Sequence, residues 1–218
     1  MIRIIDIVTA QGPARWTVDA ATSPRLALLL GHGAGGGIGT VDLTALAGAL
    51  PGQGITVARF EQPWRVAGKK VAPAPASLDL AWREGVAALV PRLDGVPLAL
   101  GGRSAGARVA CRTAADLGAR AVLALAFPLH APGRPEKSRV SELTSAGVPT
   151  MVVQGDRDPF GSASEVFEAI ALSAGIWVTT VTGAGHDLSL AKRADPSTEA
   201  VWRGLAGDVA AFLLTNVA

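Results

Sequence analysis

Short apolar runs alternate with Ala-rich segments of helical spacing along nearly the whole chain. Arg25–Leu30, Ile55–Phe60, Pro97–Gly101, Ala121–Phe127, Pro149–Gln154 and Ile176–Val181 read as strands, rich in Val, Ile and Leu and bounded by turn residues. The central runs carry almost no polar position. Such strands are covered on both faces, which is the pattern of a mostly parallel sheet. Between them, Asp42–Leu50, Ser77–Leu93, Ser104–Leu117, Ser138–Ala146, Ser164–Ser173 and Ser197–Asn216 read as helices. Pro51-Gly52 stops the first, and Ser77 is a plausible N-cap of the second. Ile2–Val8 and Ala14–Asp19 form an N-terminal hairpin across Gly12-Pro13, which adds an antiparallel edge. The expected architecture is therefore a sheet of about eight strands with helices on both faces. Glu61–Ala76 and Pro128–Glu136 are Pro-rich loops, the second too short to hold a helical cap. No internal repeat or linker composition divides the chain.

Composition narrows the picture without changing it. The 218 residues are 49 % apolar and 17 % charged, which suits one globular domain over residues 1–218 and argues against disorder. A net charge of +2, with no basic run interleaved with aromatics, gives no reason to expect a nucleic-acid partner. Lys69-Lys70 is only a pair. Cys111 is the sole cysteine, so an intrachain disulfide or a cysteine-based zinc cluster is impossible, and a reducing cytoplasm is expected. No basic segment leads a long apolar core at the N-terminus, and no apolar run approaches the roughly 18 residues of a membrane span. Neither a signal peptide nor a membrane association is expected.

The chemistry concentrates at strand ends. Gly102-Arg103-Ser104-Ala105-Gly106 fits G-x-S-x-G at the junction of an apolar strand and a helix. A serine in a sharp turn needs neighbours without side chains two residues to either side. The helix that follows places its N-terminal amides beside a developing oxyanion. A Gly-rich turn with Ser104 as a simple N-cap has the same pattern, and 26 glycines make the motif easy to meet by chance. The strand–turn–helix setting favours a nucleophile. An acid and then a histidine should follow in chain order. His186, in Gly183-Ala184-Gly185-His186-Asp187 after the last strand, is the candidate base. His130 precedes every plausible acid and is expected to line the pocket or pack against its loop. Asp158, in Asp156-Arg157-Asp158-Pro159, is the preferred acid, with Asp156 as the alternative. An Asp-Pro turn is the structural alternative for Asp158.

Gly31-His32-Gly33-Ala34-Gly35-Gly36 supports two readings. As an oxyanion loop, it would offer the Ala34 amide beside that of Ala105. As G-x-G-x-x-G through Gly31, Gly33 and Gly36, with Glu61 at the end of the next strand, it would bind a dinucleotide. The second reading leaves Ser104, Asp158 and His186 without a purpose. A short-chain reductase would also need a catalytic tyrosine, and the chain has no Tyr.

Taken in order, Gly31–Gly35, Arg59-Phe60, Gly101–Ala110, Phe127–His130, Gln154–Gly161 and Gly185-His186 resemble the small cap-less α/β-hydrolases. Within these the chain is similar to the dienelactone-hydrolase-like branch that includes the testis-expressed and histone-acetyltransferase-complex hydrolase-like proteins. The resemblance covers almost the whole chain. It implies the α/β-hydrolase fold without a cap domain, Ser104, Asp158 and His186 as a catalytic triad, and Ala34 and Ala105 as oxyanion donors. Arg103 and Ala105 stand where that branch often has Lys and Met, which alters the pocket wall but not the amides.

The function expected is a serine hydrolase acting on a small ester or thioester through an acyl-enzyme, with no metal or organic cofactor. The alternatives are a non-catalytic hydrolase-like interaction module and, further off, a dinucleotide-binding oxidoreductase. His32, Arg59, Trp64, Arg103 and His130 are candidate substrate-binding residues. Arg59, Arg65, Lys69, Lys70 and Arg103 could favour an anionic acyl group or simply form a solvated rim. Trp82, Trp202 and Cys111 are expected to pack in the interior. A monomer or homodimer is expected.

Overall fold

The computed structural model describes residues 2–217. Eight strands, β1 (Ile2–Thr9), β2 (Gly12–Asp19), β3 (Leu26–Gly31), β4 (Ile55–Glu61), β5 (Leu98–Arg103), β6 (Ala121–Leu125), β7 (Thr150–Gly155) and β8 (Ile176–Val181), form one sheet in the order β1-β2-β4-β3-β5-β6-β7-β8. From β4 across to β8 every neighbouring pair is parallel, while β2 runs antiparallel to both β1 and β4. This is the mostly parallel sheet with an antiparallel hairpin that the apolar pattern predicts. The hairpin turn lies two residues earlier than expected. Thr9 pairs with Gly12, so Ala10-Gln11 form the turn and Pro13 is already in the strand.

The helices are α1 (Val41–Ala49), α2 (Pro63–Val66), α3 (Pro75–Leu89), α4 (Ala105–Thr113), α5 (Val140–Thr144), α6 (Ala163–Ala169) and α7 (Thr198–Val217). Alternation along the buried strands divides the interior into two layers. Leu26, Leu28 and Leu30 of β3 pack with Leu43 and Leu46 of α1 and with Trp202 and Leu205 of α7. Ala27 and Leu29 face the other way, into a layer with Trp82 of α3 and Val109 of α4. Each of the β3 and α1 leucines is fully buried and contributes about 1.5–3 kcal/mol relative to exposure. At the hairpin end, Trp16 sits 4.7 Å from Phe60 and 5.6 Å from Trp82 between ring centroids, and its indole N–H donates to the Gly85 carbonyl at 3.0 Å.

Two local expectations change. The stretch read as a loop over Glu61–Ala76 contains the one-turn helix α2, started by Pro63 after an extended Gln62. Ser77 is not an N-cap, because α3 begins at Pro75 with Ala74 in the capping position. Proline suits the first helical turn: its φ is preset, and its missing N–H would have had no intrahelical acceptor. Between β6 and α5, Pro128–Glu136 contains no helix, so nothing there roofs the sheet. No helix among the described residues is long and apolar enough to cross a membrane.

Candidate active site

The chain leaves β3 for β4 on one side and returns to β5 on the other, so loops leaving the C-terminal ends of β3 and β5 lie side by side. Such a switch point is where parallel sheets open a crevice. Gly31 is in register with Gly102. Their backbones approach so closely that a Cβ at Gly102 would lie 2.5 Å from the Gly31 carbonyl oxygen, and one at Gly106 would overlap the same carbonyl. Glycine at these two positions lets the β3 loop and the β5 turn share one space.

Ser104 stands at the tip of that turn with φ +54° and ψ −111°, a conformation costly for any residue with a side chain. Its own N–H is tied to the Leu125 carbonyl at 2.9 Å, and its carbonyl accepts from Arg108 as α4 begins. The hydroxyl is thereby lifted clear of the strand. Its Oγ lies 2.9 Å from His186 Nε2, and His186 Nδ1 lies 2.8 Å from Asp158 Oδ2. An ionised carboxylate only accepts, so Nδ1 carries the proton and Nε2 is free to accept from the serine hydroxyl.

Asp158 is buried, and donors fix both its oxygens. The Phe160 N–H reaches Oδ1 at 2.8 Å, and Gln154 Nε2 reaches Oδ2 at 3.0 Å. The Phe160 ring covers the imidazole, with centroids 4.2 Å apart. Of the two acids left open by the sequence, Asp158 is the one brought to His186. Asp156 instead accepts the Gly183 N–H at 2.7 Å and closes the turn that carries the histidine loop.

Ala34 and Ala105 face a common cavity of about 10 Å³, lined also by His32, Trp64, Leu78 and Val109. The Ala34 N–H has no acceptor among the described residues. Ala105 is the first residue of α4, where an amide has no intrahelical partner. Gly33 packs against the serine: a Cβ there would lie 3.3 Å from Ser104 Cβ. The helix after this loop starts only at Val41, five residues beyond Gly36, so its N-terminus does not follow the third glycine directly as the dinucleotide pattern requires.

The residues expected to bind substrate divide. Trp64 is buried at the cavity. His32 lines it too, but both ring nitrogens are engaged by backbone: Nδ1 donates to the Gly33 carbonyl at 2.8 Å and Nε2 accepts the Gln62 N–H at 3.1 Å. Burial holds its pKa below the ordinary 6.5, which keeps the accepting nitrogen free of a proton. Arg59 is committed to the Ile38 carbonyl at 3.0 Å and the Asp19 carboxylate at 3.1 Å. His130 is buried with its ring on the Ala131 carbonyl and 3.4 Å from Glu165.

Arg103 departs furthest from its expected place on the rim. It is buried, its Nη2 donates to the His186 carbonyl at 2.7 Å, and its Nε lies 3.3 Å from Asp42 Oδ2. Neither Nε nor Oδ2 has hydrogen-bond geometry, so the contact is ionic. Burial pushes the Asp42 carboxyl upward, against Thr40, Arg103 and the Leu43 N–H, which pull it down. Arg65, Lys69 and Lys70 are exposed.

Gln154, Phe160 and Asp42 support the site, and the sequence reading gives none of them a role in it. An acid in the first turn of a helix ordinarily signals only a dipole partner. A Gln at a strand terminus by itself does not mark the brace of a carboxylate.

The sequence pattern described as "alpha/beta hydrolase domain" matches residues 24–214. Among solved structures, a lidless α/β serine hydrolase from Xanthomonas campestris superposes with a TM-score of 0.76 at 20 % identity, over 97 % of this chain and 95 % of that one. A dienelactone hydrolase from Anabaena variabilis gives 0.78 at 13 % identity, over 100 % and 99 %. An esterase from Pyrococcus furiosus gives 0.74 at 18 % identity, over 100 % and 94 %. No curated protein matches the sequence.

Proposed function

Because the chain belongs to the alpha/beta hydrolase family, we propose that it is a serine hydrolase, one domain throughout, that cleaves a small carboxylic ester or thioester through an acyl-enzyme on Ser104. The observation that carries this reading is the unbroken relay from Ser104 Oγ through His186 to the buried Asp158, at 2.9 and 2.8 Å. A protein that only displayed the fold would have no use for a strained serine in contact with an oriented imidazole. The finer kinship, with the testis-expressed and histone-acetyltransferase-complex hydrolase-like branch, rests on the motif order alone.

His186 Nε2 takes the hydroxyl proton as Oγ attacks the acyl carbon. Negative charge moves to the carbonyl oxygen, where the Ala34 and Ala105 amides receive it. Asp158 keeps the imidazole in the productive tautomer and stabilises the imidazolium. His186 then passes its proton to the departing alkoxide or thiolate, leaving the acyl group on Ser104. A water enters, gives a proton to His186 and attacks the ester. Collapse of the second tetrahedral species returns the proton to Oγ and frees the acid.

A fluorophosphonate probe tests the nucleophile directly. The wild-type protein should be labelled, and Ser104→Ala should lose both the label and turnover of p-nitrophenyl acetate. Folded wild-type protein that takes no label would refute the proposal.

A further inference from the structure

We infer that Phe160 is a positioning residue for His186 whose ring favours the imidazolium that forms as Ser104 attacks; the inference rests on the hydrolase reading above. The two rings lie 4.2 Å apart between centroids, with 32° between their planes. At that separation and tilt the imidazole lies over the face of the benzene ring and not at its edge. The face carries the negative part of the ring quadrupole, and a cation within about 6 Å of the centroid is attracted to it. Charge on an imidazolium is spread over the whole ring, so the centroid separation is the distance that matters. A neutral imidazole gains little from the same contact. The attraction therefore grows as the proton moves from Ser104 Oγ to His186 Nε2. An interaction that is stronger in the transition state than in the ground state raises kcat. It acts in both halves of the reaction, because His186 becomes cationic again when it takes a proton from the attacking water.

Nothing else in the structure asks for an aromatic side chain at this position. The main chain of Phe160 is engaged on both sides: its N–H donates to Asp158 Oδ1 at 2.8 Å, and its carbonyl accepts the His130 N–H at 3.0 Å. Every residue except proline carries the donor and acceptor these bonds need. The interior does not require the ring either, since Phe160 is half-buried and belongs to neither hydrophobic layer of the sheet. Its one aromatic partner among the described residues is His186. That imidazole is held at its edge by Asp158 and Ser104, at 2.8 and 2.9 Å, while its side chain remains 20 % exposed. Phe160 covers one face. The side chain at position 160 can therefore be varied while the main-chain brace on Asp158 is kept, which separates the effect of the ring from that of the turn.

Fluorine draws negative charge away from the face of a benzene ring, changes its shape little and makes it more apolar. The test places phenylalanine and its mono-, di- and trifluorinated forms at position 160 by nonsense suppression. For each protein it measures the rate constant of fluorophosphonate labelling, kcat for p-nitrophenyl acetate and Tm. Labelling rate and kcat should fall stepwise along the series, by about three- to tenfold at the trifluorinated ring, while Tm stays level. A ring that only filled space would leave the rates flat, and one that gripped the substrate by apolar contact would hold or raise them. Flat or rising rates therefore overturn the inference while leaving the nucleophile standing. If wild type labels but does not turn over the acetate, the labelling rate alone decides. If the fluorinated chains do not fold, Phe160→Tyr and Phe160→Leu decide. The tyrosine keeps the negative face and should label at no less than about half the wild-type rate, and the leucine about three- to tenfold more slowly than wild type. Equal rates in the two overturn the inference. Wild-type protein that does not label refutes the hydrolase reading itself, and the inference falls with it.

Discussion

Replacing Arg103 by Met separates two jobs that one side chain performs. The guanidinium offsets the charge of Asp42, which is fully buried, and it holds the His186 carbonyl at 2.7 Å. Removing one partner of a buried pair typically costs about 3–5 kcal/mol, because the other charge is left without compensation. Asp42 can limit that loss by taking up a proton, which its environment already favours through burial. The sign of the pH dependence follows. A carboxyl whose folded pKa is raised above its ordinary 3.8 keeps a proton that the unfolded chain releases. Stability therefore falls as pH rises from about that value through the folded pKa, by up to about 1.36 kcal/mol per unit, and the loss is complete above it. Without Arg103 the window extends further upward. Urea denaturation should show Arg103→Met losing more stability at pH 8 than at pH 5. Adding Asp42→Asn removes the orphaned charge and should restore most of the stability at both pH values. Turnover should not return with it, because the tether on the histidine loop is still missing, and misplacement by about 1 Å can cost roughly a hundredfold. A loss below about 1 kcal/mol in Arg103→Met would contradict the burial argument. A double variant with full kcat would contradict the positioning role.

Asp158→Asn should lower kcat by roughly two to four orders of magnitude, since an amide cannot hold the same tautomer. Asp156→Asn should lose no more than about tenfold, because an amide oxygen still accepts the Gly183 N–H; the reverse outcome would exchange their roles. His32 has a folded pKa held below its ordinary 6.5, so the unfolded chain binds the extra proton below about that pH, and stability is lost on acidification. The urea midpoint of wild type should therefore fall between roughly pH 7 and pH 5 more steeply than that of His32→Gln. Gly106→Ala puts a methyl into the Gly31 carbonyl and should cost at least about 2 kcal/mol and most of the turnover, whereas Gly48→Ala, which meets nothing nearby, should be neutral or slightly stabilising.

The strands were legible because burial on both faces forces them to be apolar whatever surrounds them. The serine, acid and histidine were legible because chain order and strand ends restrict where such groups can meet. What escaped is whatever depends on distant partners or on very short elements. The helix α2 has four residues, too few to display a period, and it lies in a Pro-rich stretch that reads as a loop. Arg103 ends its strand and Arg59 lies two residues from the end of its own, where a positive charge ordinarily faces water. Only the fold brings Asp19 and Asp42 to them, from 40 and 61 residues away in the chain. His32, next to a glycine loop, does line the cavity, yet two backbone groups saturate its ring. Gln154 gave no hint that its amide braces the carboxylate of Asp158 while also reaching the Phe127 and Gly161 carbonyls, at 3.2 and 2.6 Å.

These differences bear on how the site is built. The positive φ of Ser104 costs about 1–3 kcal/mol, and it persists only because its surroundings leave no alternative. Those surroundings are rigid: two strand ends in register, the tie to the Leu125 carbonyl, and an arginine locked to α1 and to the histidine loop. The wall next to the amides is of another kind. Part of it belongs to α3 and α4, and part to the connection after β4, where Gln62 and Trp64 are buried and Ala72 is half-buried. Substitutions in residues 67–74 therefore leave the strained turn alone, while substitutions at Gly31, Gly102, Arg103 or Gly106 disturb it. On the hydrolase reading proposed above, the strained turn and this wall are separable parts of the site, and the second can change while the first is held fixed.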